Sequence, residues 1–148
     1  DNNKSVPATE DGLVRPLIVW SDEYNTGIEA IDIQHRRLAE LINEIHQWVK
    51  TGRATAENGE KLDGILEELR NYAIDHFAVE EELFLISDYP QKELHVTKHD
   101  LFKKQVDQLY KAYEQSRIDL RPILGFLAGW FLDHIQVTDR QYIRYLKP

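Results

Sequence analysis

The stretch LDGILEELRNYAIDHFAVEEEL, residues 62–83, repeats apolar side chains every three or four positions and then continues the same spacing into a histidine and a glutamate. This spacing is typical of an amphipathic helix with one buried face. His76 and Glu80 fall on that face. A core position normally takes Leu or Ile, and a glutamate is almost never fully buried without a partner. The stretch therefore predicts a helix whose last third buries two polar side chains against partners elsewhere in the fold.

Three further segments show the same amphipathic pattern. The four predicted helices cover residues 32–51, 56–86, 91–116 and 119–145. Asp32 is expected to cap the start of the first helix and Gly52 to stop it, and Pro122 lies in the first turn of the fourth. Because short connections make successive helices antiparallel neighbours, the chain is predicted to be all-α, an antiparallel up-down-up-down four-helix bundle.

The residues before the first helix are expected to have two roles. Residues 1–16 are polar and acidic and are interpreted as a linker or flexible tail, while residues 17–148 are expected to form one domain. Residues 17–31, with Trp20 and Tyr24, are predicted to form an ordered N-terminal arm that packs on the bundle. The sequence contains no methionine. We therefore expect a processed protein or one domain of a longer polypeptide.

Composition narrows the possible partners. A chain of 148 residues with 42% hydrophobic residues is long and apolar enough for one globular core. Its net charge of −8 argues against nucleic acid and anionic membranes as partners. It has no cysteine, so thiolate ligands are excluded, and no segment resembles a signal peptide or a membrane span. We expect a cytoplasmic domain without nucleic-acid or membrane contacts.

Seven polar side chains on the inward faces are predicted to meet at one end of the bundle. They are His35, His76, Glu80, His95, His99, His134 and Asp139. In an antiparallel bundle the starts of the first and third helices lie at the same end as the ends of the second and fourth. The pairs 76/80 and 95/99 are four residues apart, which places each pair on a single helix face.

The spacing of the last pair, His134 and Asp139, differs from that of the other two pairs. His134 and Asp139 are five residues apart, about 140° off a common face of an ideal helix. Either a π-bulge or a carboxylate that reaches sideways would bring them together.

His46 lies eleven residues after His35 and hence about 16 Å further along the axis. It is expected to be an ordinary histidine at the core edge that does not share the centre.

This donor set predicts two metal ions. Five imidazoles and two carboxylates are too many ligands for one zinc ion. Nitrogen and oxygen donors without sulfur suit iron, manganese or zinc. Two octahedral ions joined by both carboxylates and an oxo or hydroxo bridge would keep one position open for a small ligand. The competing interpretation, that each histidine is a structural core residue, does not explain why seven polar groups converge, since their unpaired burial would cost several kcal/mol.

These motifs resemble the signature of the hemerythrin family, specifically its bacterial members. The matching pieces are WSDEYNTGIEAIDIQH at 20–35, HFAVEE at 76–81, DYP at 88–90, HVTKHDLF at 95–102 and WFLDHIQVTDRQY at 130–142. The resemblance implies that residues 17–148 are a hemerythrin-like domain that binds O2 reversibly at a non-haem di-iron centre. One iron would be held by His95, His99 and His134 and the other by His35 and His76. Glu80 and Asp139 would bridge the two ions.

The resemblance also implies an apolar O2 pocket beside the irons. The corresponding residues are Leu38, Phe77, Trp130, Phe131 and Ile135. A dry pocket suits the chemistry, because water or anions at the open position would promote oxidation of the irons. Plain core packing would select the same residues, so the sequence leaves both interpretations open.

The expected function is O2 binding, most simply as an oxygen- or redox-sensing domain covalently linked to signalling domains. A stand-alone O2 carrier or store is the first alternative. A di-iron oxidase or peroxidase-type enzyme is the second, although carboxylate-rich sites are the ones that favour O2 activation in helical bundles. Five neutral imidazoles favour reversible binding, and so the chain is not expected to be an enzyme.

Overall fold

The computed structural model describes residues 15–116 and 119–146. Its four long helices are α1 (Glu29–Lys50), α2 (Gly59–Leu85), α3 (Lys92–Ser116) and α4 (Arg121–Asp133). A π-helical turn, His134–Thr138, leads from α4 into the short helix α5, Asp139–Ile143. Two short 3-10 helices cover Asp22–Tyr24 and Ala56–Asn58. The described residues contain helices and no strands, which confirms the all-α helical bundle. None of these helices has the length and apolar character needed to cross a membrane.

Gly52 ends α1 as predicted. Its φ of 72° lies in the left-handed region that only glycine enters without strain. The Gly52 N–H donates to the Val49 carbonyl at 3.3 Å and the Arg53 N–H to the Trp48 carbonyl at 2.9 Å. These two bonds form a Schellman motif, which satisfies carbonyls that the helix end would otherwise leave free. The chain then turns toward α2.

The prediction that Asp32 caps α1 was wrong, because the helix begins earlier, at Glu29. Asp32 lies within the first turn and its carboxylate points back along the chain. It accepts hydrogen bonds from the Thr26 N–H at 2.8 Å, the Thr26 hydroxyl at 2.7 Å and the Gly27 N–H at 3.2 Å. A sequence pattern that marks an acidic residue near a helix start does not say how far upstream its partners lie.

Contacts along α2 and α3 fix the relative direction of these helices. Phe77 lies against Phe102 with ring centroids 5.3 Å apart, whereas Arg70, earlier in α2, bonds Asp107, later in α3, at 2.8 Å. Residue numbers therefore fall along α2 as they rise along α3, so the two helices are antiparallel. The predicted up-down-up-down topology requires this of the pair. Helix α1 packs on α2 and α4, and α3 also packs on α2 and α4.

The core has two parts. The larger part runs along the bundle and is built mainly from aliphatic residues, among them Leu41, Ile45, Leu62, Leu69, Ile123 and Leu127. The smaller part lies where α2, α5 and the start of α1 meet, and it contains Ile31, Phe84, Tyr89, Tyr142 and Ile143. The smaller cluster is mainly aromatic, and several of its rings contact the histidines described below.

The segment before α1 packs on the bundle, in agreement with the predicted arm. The Ile18 backbone makes two hydrogen bonds to the Asn43 side chain of α1, both at 2.8 Å. Trp20 packs against Tyr24 with centroids 5.1 Å apart, and Tyr24 contacts Phe131 of α4 at 6.3 Å. Most of the predicted linker, residues 1–14, lies outside the described residues, so its boundary stays a prediction.

Candidate metal centre

The seven polar side chains singled out from the sequence lie together at one end of the bundle. Each is at most 2% exposed. Their donor atoms form two groups, within each of which all the atoms lie within 4.8 Å of one another. One group contains Glu80, His95, His99, His134 and Asp139, and the other contains His35, His76 and Asp139. Asp139 belongs to both groups, so the two potential ion sites are adjacent.

The π-helical turn solves the spacing problem of the last pair. The Asp139 N–H donates to the carbonyl of His134, five residues earlier, instead of closing a normal α-helical turn. This widened turn brings His134 and Asp139 onto one face, with His134 Nε2 and Asp139 Oδ1 3.0 Å apart. Of the two solutions left open by the sequence, the structure adopts the π-bulge.

Asp139 lies between the two groups of histidines. Its Oδ2 atom is 3.0 Å from Nε2 of His35, while its Oδ1 atom is 2.9 Å from Nε2 of His95. A carboxylate that presents one oxygen to each side has the arrangement needed to bridge two ions.

Glu80, in α2, also lies near histidines of both groups. Its Oε1 atom is 2.9 Å from Nε2 of His76 in one group and 3.4 Å from Nε2 of His99 in the other. Both carboxylates are fully buried. Two anions held this deep in the protein need positive charge beside them.

Hydrogen bonds among these residues do not satisfy the cluster. The Nε2 atoms of His35 and His76 face each other at 3.2 Å, as do those of His99 and His134. At most one nitrogen of each facing pair can donate while the other accepts. Both oxygens of Glu80 lack a hydrogen bond of normal geometry among the described residues. Cations placed between the rings would receive all these lone pairs at once, so the donor set fits metal binding, and its nitrogen and oxygen chemistry suits iron.

The electrostatics of the cluster favour bound cations. Burial by itself lowers the pKa of His76, but the carboxylates of Glu80 and Asp139 outweigh it and raise that pKa to about 10. Burial likewise lowers the pKa of His134, and Asp139 and Glu80 raise it to about 9. Despite their burial, the neighbouring histidines hold the pKa of both carboxyl groups below the usual range. Both carboxylates are therefore ionised and attract positive charge, whether as protons or as metal ions.

Two residues that contact the histidines were not identified from the sequence. Gln34 lies just before His35, and its Oε1 accepts a hydrogen bond of 2.6 Å from Nδ1 of His76. This bond directs the other ring nitrogen, Nε2, into the centre. Glu81 is half-buried, with its Oε2 atom 3.8 Å from Nδ1 of His99. Neither has a sequence signal, since a partly exposed polar residue does not interrupt an apolar stripe.

The residues expected to form the O2 pocket lie in the core around the cluster. Leu38, Phe77, Phe131 and Ile135 are buried, and Trp130 is half-buried. Phe77 stacks on His99 with centroids 4.0 Å apart, and Trp130 stacks on His134 at 4.6 Å. These rings shield one side of the histidines from water. Whether the five residues line an O2 pocket stays a prediction.

His46 is a member of neither group. It is more deeply buried than expected for a core-edge residue, at 5% exposure. Burial lowers its pKa, nearby Lys50 lowers it further, and a hydrogen bond to the Arg15 backbone opposes both effects. His46 is thus a neutral histidine of the core.

Comparison with known proteins agrees with this site. A family model described as "Hemerythrin HHE cation binding domain" matches residues 26–146. A bacteriohemerythrin of Pseudomonas aeruginosa is 37% identical over 129 residues, which span 85% of this chain and 79% of the relative. A bacteriohemerythrin of Clostridium acetobutylicum is 32% identical over 130 residues, spanning 86% of this chain and 99% of the relative. A third, from Stenotrophomonas maltophilia, is 35% identical over 134 residues, 88% and 82% of the two chains. The chain therefore belongs to the hemerythrin family.

Proposed function

We propose that this protein binds O2 reversibly at a non-haem di-iron centre. The observation that carries the proposal is the arrangement of seven buried donors in two adjacent groups that share a carboxylate. Membership of the hemerythrin family supports iron as the metal and O2 as the ligand. When bound, the two ions would supply the electrons that O2 takes up on binding and returns on release.

The residues of each group would hold one ion. His95, His99 and His134 would ligate the first iron, and His35 and His76 the second. Glu80 and Asp139 would bridge them, as their contacts to histidines of both groups support. The second iron would have fewer histidines, so the open position for O2 would lie there.

The surroundings of the histidines would keep the bound ligand dry. Phe77 and Trp130 cover His99 and His134 with their ring faces. Leu38, Phe131 and Ile135 would complete an apolar pocket for O2. Excluding water and anions from the open position would slow oxidation of the irons and make O2 release possible. The excess of imidazole over carboxylate ligands also favours reversible binding of O2 over the activation of O2 that the oxidase alternative requires.

Anaerobic reconstitution with ferrous iron tests the proposal. We expect two irons per chain and an optical band that appears with O2 and disappears under vacuum. His76→Ala should lose both the second iron and the band, while His46→Gln, which alters a buried histidine outside the cluster, should keep them. Rapid irreversible bleaching with substrate turnover would support the enzyme alternative instead.

We also propose that the domain senses O2 or redox state, and that its output reaches covalently linked signalling domains through the N-terminal arm. The arm contacts the pocket residue Phe131 through Tyr24, and Thr26 is tied to Asp32, three residues before His35. A change at the irons would therefore act on residues next to the arm. Tryptophan fluorescence and proteolysis of the arm should differ between the diferrous and diferric forms. Identical behaviour in both forms would favour a carrier or store.

A further inference from the structure

A row of three tyrosine rings leads from the donor cluster to the protein surface. The ring centroid of Tyr142, in α5, lies 5.1 Å from that of His95. Tyr89, in the turn between α2 and α3, lies 5.9 Å from Tyr142, and Tyr145 lies 5.4 Å from Tyr89. Exposure rises along the row from 0% at Tyr142 to 3% at Tyr89 and 43% at Tyr145. Three ring-to-ring steps thus join a buried candidate iron ligand to solvent.

Packing alone does not explain why the first ring of this row is a tyrosine. The Tyr142 hydroxyl is buried close to the carboxylate of Glu80, without a hydrogen bond of normal geometry among the described residues. A buried hydroxyl that lacks a well-aligned hydrogen bond opposes folding. Phenylalanine would fill nearly the same volume without a hydroxyl to satisfy, as Phe84 does 5.0 Å away. Phenol and phenylalanine differ most in how easily they give up an electron, because only the phenol can release a proton with it.

We propose that Tyr142, Tyr89 and Tyr145 form a relay that carries oxidising equivalents from the iron centre to the surface when hydrogen peroxide reacts there. The relay rests on the proposed function, because O2 that has taken up two electrons and two protons leaves the site as hydrogen peroxide. A strongly oxidised centre buried among aromatic rings and histidines would otherwise oxidise its own ligands.

Each oxidising equivalent moves from the centre to the surface because an electron moves from the surface to the centre. Tyr142 gives an electron to the centre while its hydroxyl proton passes to the nearby Glu80 carboxylate, and that proton returns when Tyr89 refills Tyr142 with an electron. Tyr145 then refills Tyr89. The radical ends on Tyr145, whose hydroxyl proton leaves to solvent. A soluble one-electron donor with an O–H bond, such as a small phenol, then gives Tyr145 a hydrogen atom. One peroxide has its O–O bond broken, takes two electrons and two protons through two such cycles and becomes two water molecules, while two donor molecules become radicals.

Trp130 is the competing outlet. It stacks on His134 with centroids 4.6 Å apart and is also oxidisable. Its other aromatic neighbours among the described residues are the phenylalanines Phe77 and Phe102. These rings resist oxidation, so a radical at Trp130 has no further aromatic step that an electron could take easily. The tyrosine row continues to an exposed ring, and this difference decides the route.

Spin trapping in the full, iron-loaded chain tests the relay. The protein is treated with hydrogen peroxide and a nitroso spin trap, and the trapped residue is located by mass spectrometry. We expect the adduct on Tyr145. Tyr89→Phe, which removes only the middle hydroxyl, should reduce that adduct several-fold and speed the loss of iron-centre absorbance several-fold. The control Tyr113→Phe alters a tyrosine about 21 Å along α3 from His99 and should change neither quantity.

An adduct on Trp130 in place of Tyr145, an adduct that persists in Tyr89→Phe, or equal labelling of iron-free protein would each overturn the relay. Iron content and the reversible O2 band are measured on the same samples. Protein that shows the reversible band without a Tyr145 adduct contradicts the relay alone. Protein that shows the Tyr89-dependent adduct without a reversible O2 band contradicts the proposed O2-binding function alone, and failure to bind iron overturns both.

Discussion

The first half of α2 turns Leu62, Leu66 and Leu69 toward the core, and the second half turns His76 and Glu80 to the same side. All five side chains are at most 3% exposed. In the first half, burial itself stabilises the fold, because apolar surface leaves water. In the second half, burial opposes folding unless the charges are matched. One helix thus provides stability with its first half and places a binding site with its second.

The largest effect is expected from a substitution in the apolar first half of α2. Leu69→Ala removes a fully buried side chain and should lower the free energy of unfolding by about 2–5 kcal/mol. Denaturant titration of iron-loaded and iron-free protein measures the loss, which should be similar in both forms because Leu69 is remote from the donors. Leu85→Ala, at an 83% exposed position of the same helix, is the control and should change stability by less than about 0.5 kcal/mol. A similar loss in both variants would contradict the comparison.

The second prediction concerns the second half of α2, which carries the polar residues His76 and Glu80. A metal that binds only the folded state should raise the apparent free energy of unfolding, by about 2.7 kcal/mol when free metal is 100 times its Kd. The increment is the difference between denaturation with ferrous iron and with a chelator. It should be present in Leu69→Ala, which keeps every donor, and strongly reduced in His76→Ala. A full increment in His76→Ala would show that this histidine is not a ligand.

A third prediction concerns the support of the polar half by α1. Replacement of a hydrogen-bond partner of a ligating histidine typically weakens metal binding about 10–100-fold. Gln34→Leu should therefore weaken iron binding by this factor, because Nδ1 of His76 loses its acceptor. Gln34→Glu supplies another acceptor and should restore most of the affinity. Titration against a competing chelator measures both, and equal affinity in Gln34→Leu and the unaltered chain would remove the role of this bond.

The sequence predicted the burial of the donors because all of them except Asp139 lie in phase with an apolar stripe. Burial of His76 and Glu80 follows from the leucines that precede them in α2. The meeting of helix ends follows from short connections, so the common location of the seven side chains was also predictable. For His134 and Asp139 the spacing showed that a local irregularity was needed but allowed two solutions. Only the structure shows the π-helical turn.

Features that depend on side-chain direction were missed or wrongly predicted. Asp32 fits a helix cap by its position in the sequence, yet its partner Thr26 lies six residues upstream. Gln34 contacts His76 across the gap between two helices, and no spacing within either helix encodes that contact. Glu81 belongs to a run of three acidic residues, and the turn of α2 brings it to the rim of the centre. A pattern within one helix predicts which face is buried but says little about which side chains will meet across two helices.

The smallest expected effect concerns His46, a buried histidine that lies outside the donor cluster. Unlike His76, it has no carboxylate partner in that cluster. Burial lowers the pKa of His46, whereas carboxylates raise that of His76. Between its lowered folded pKa and the ordinary value of about 6.5, His46 is protonated more in the unfolded chain than in the folded one, so its contribution to stability falls as pH drops. His46→Gln removes this contribution.

Denaturation of iron-free protein at about pH 7.5 and about pH 5.5 measures the difference between the unaltered chain and His46→Gln. The other ionisable groups are the same in both proteins, so their effect cancels in that difference. As the pH falls, the unaltered chain should lose stability relative to the variant, by much less than the Leu69→Ala loss. A relative gain in stability would mean that the fold stabilises the charged form of His46, as it does that of His76. Burial without a carboxylate partner would then not distinguish a core histidine from one in the centre.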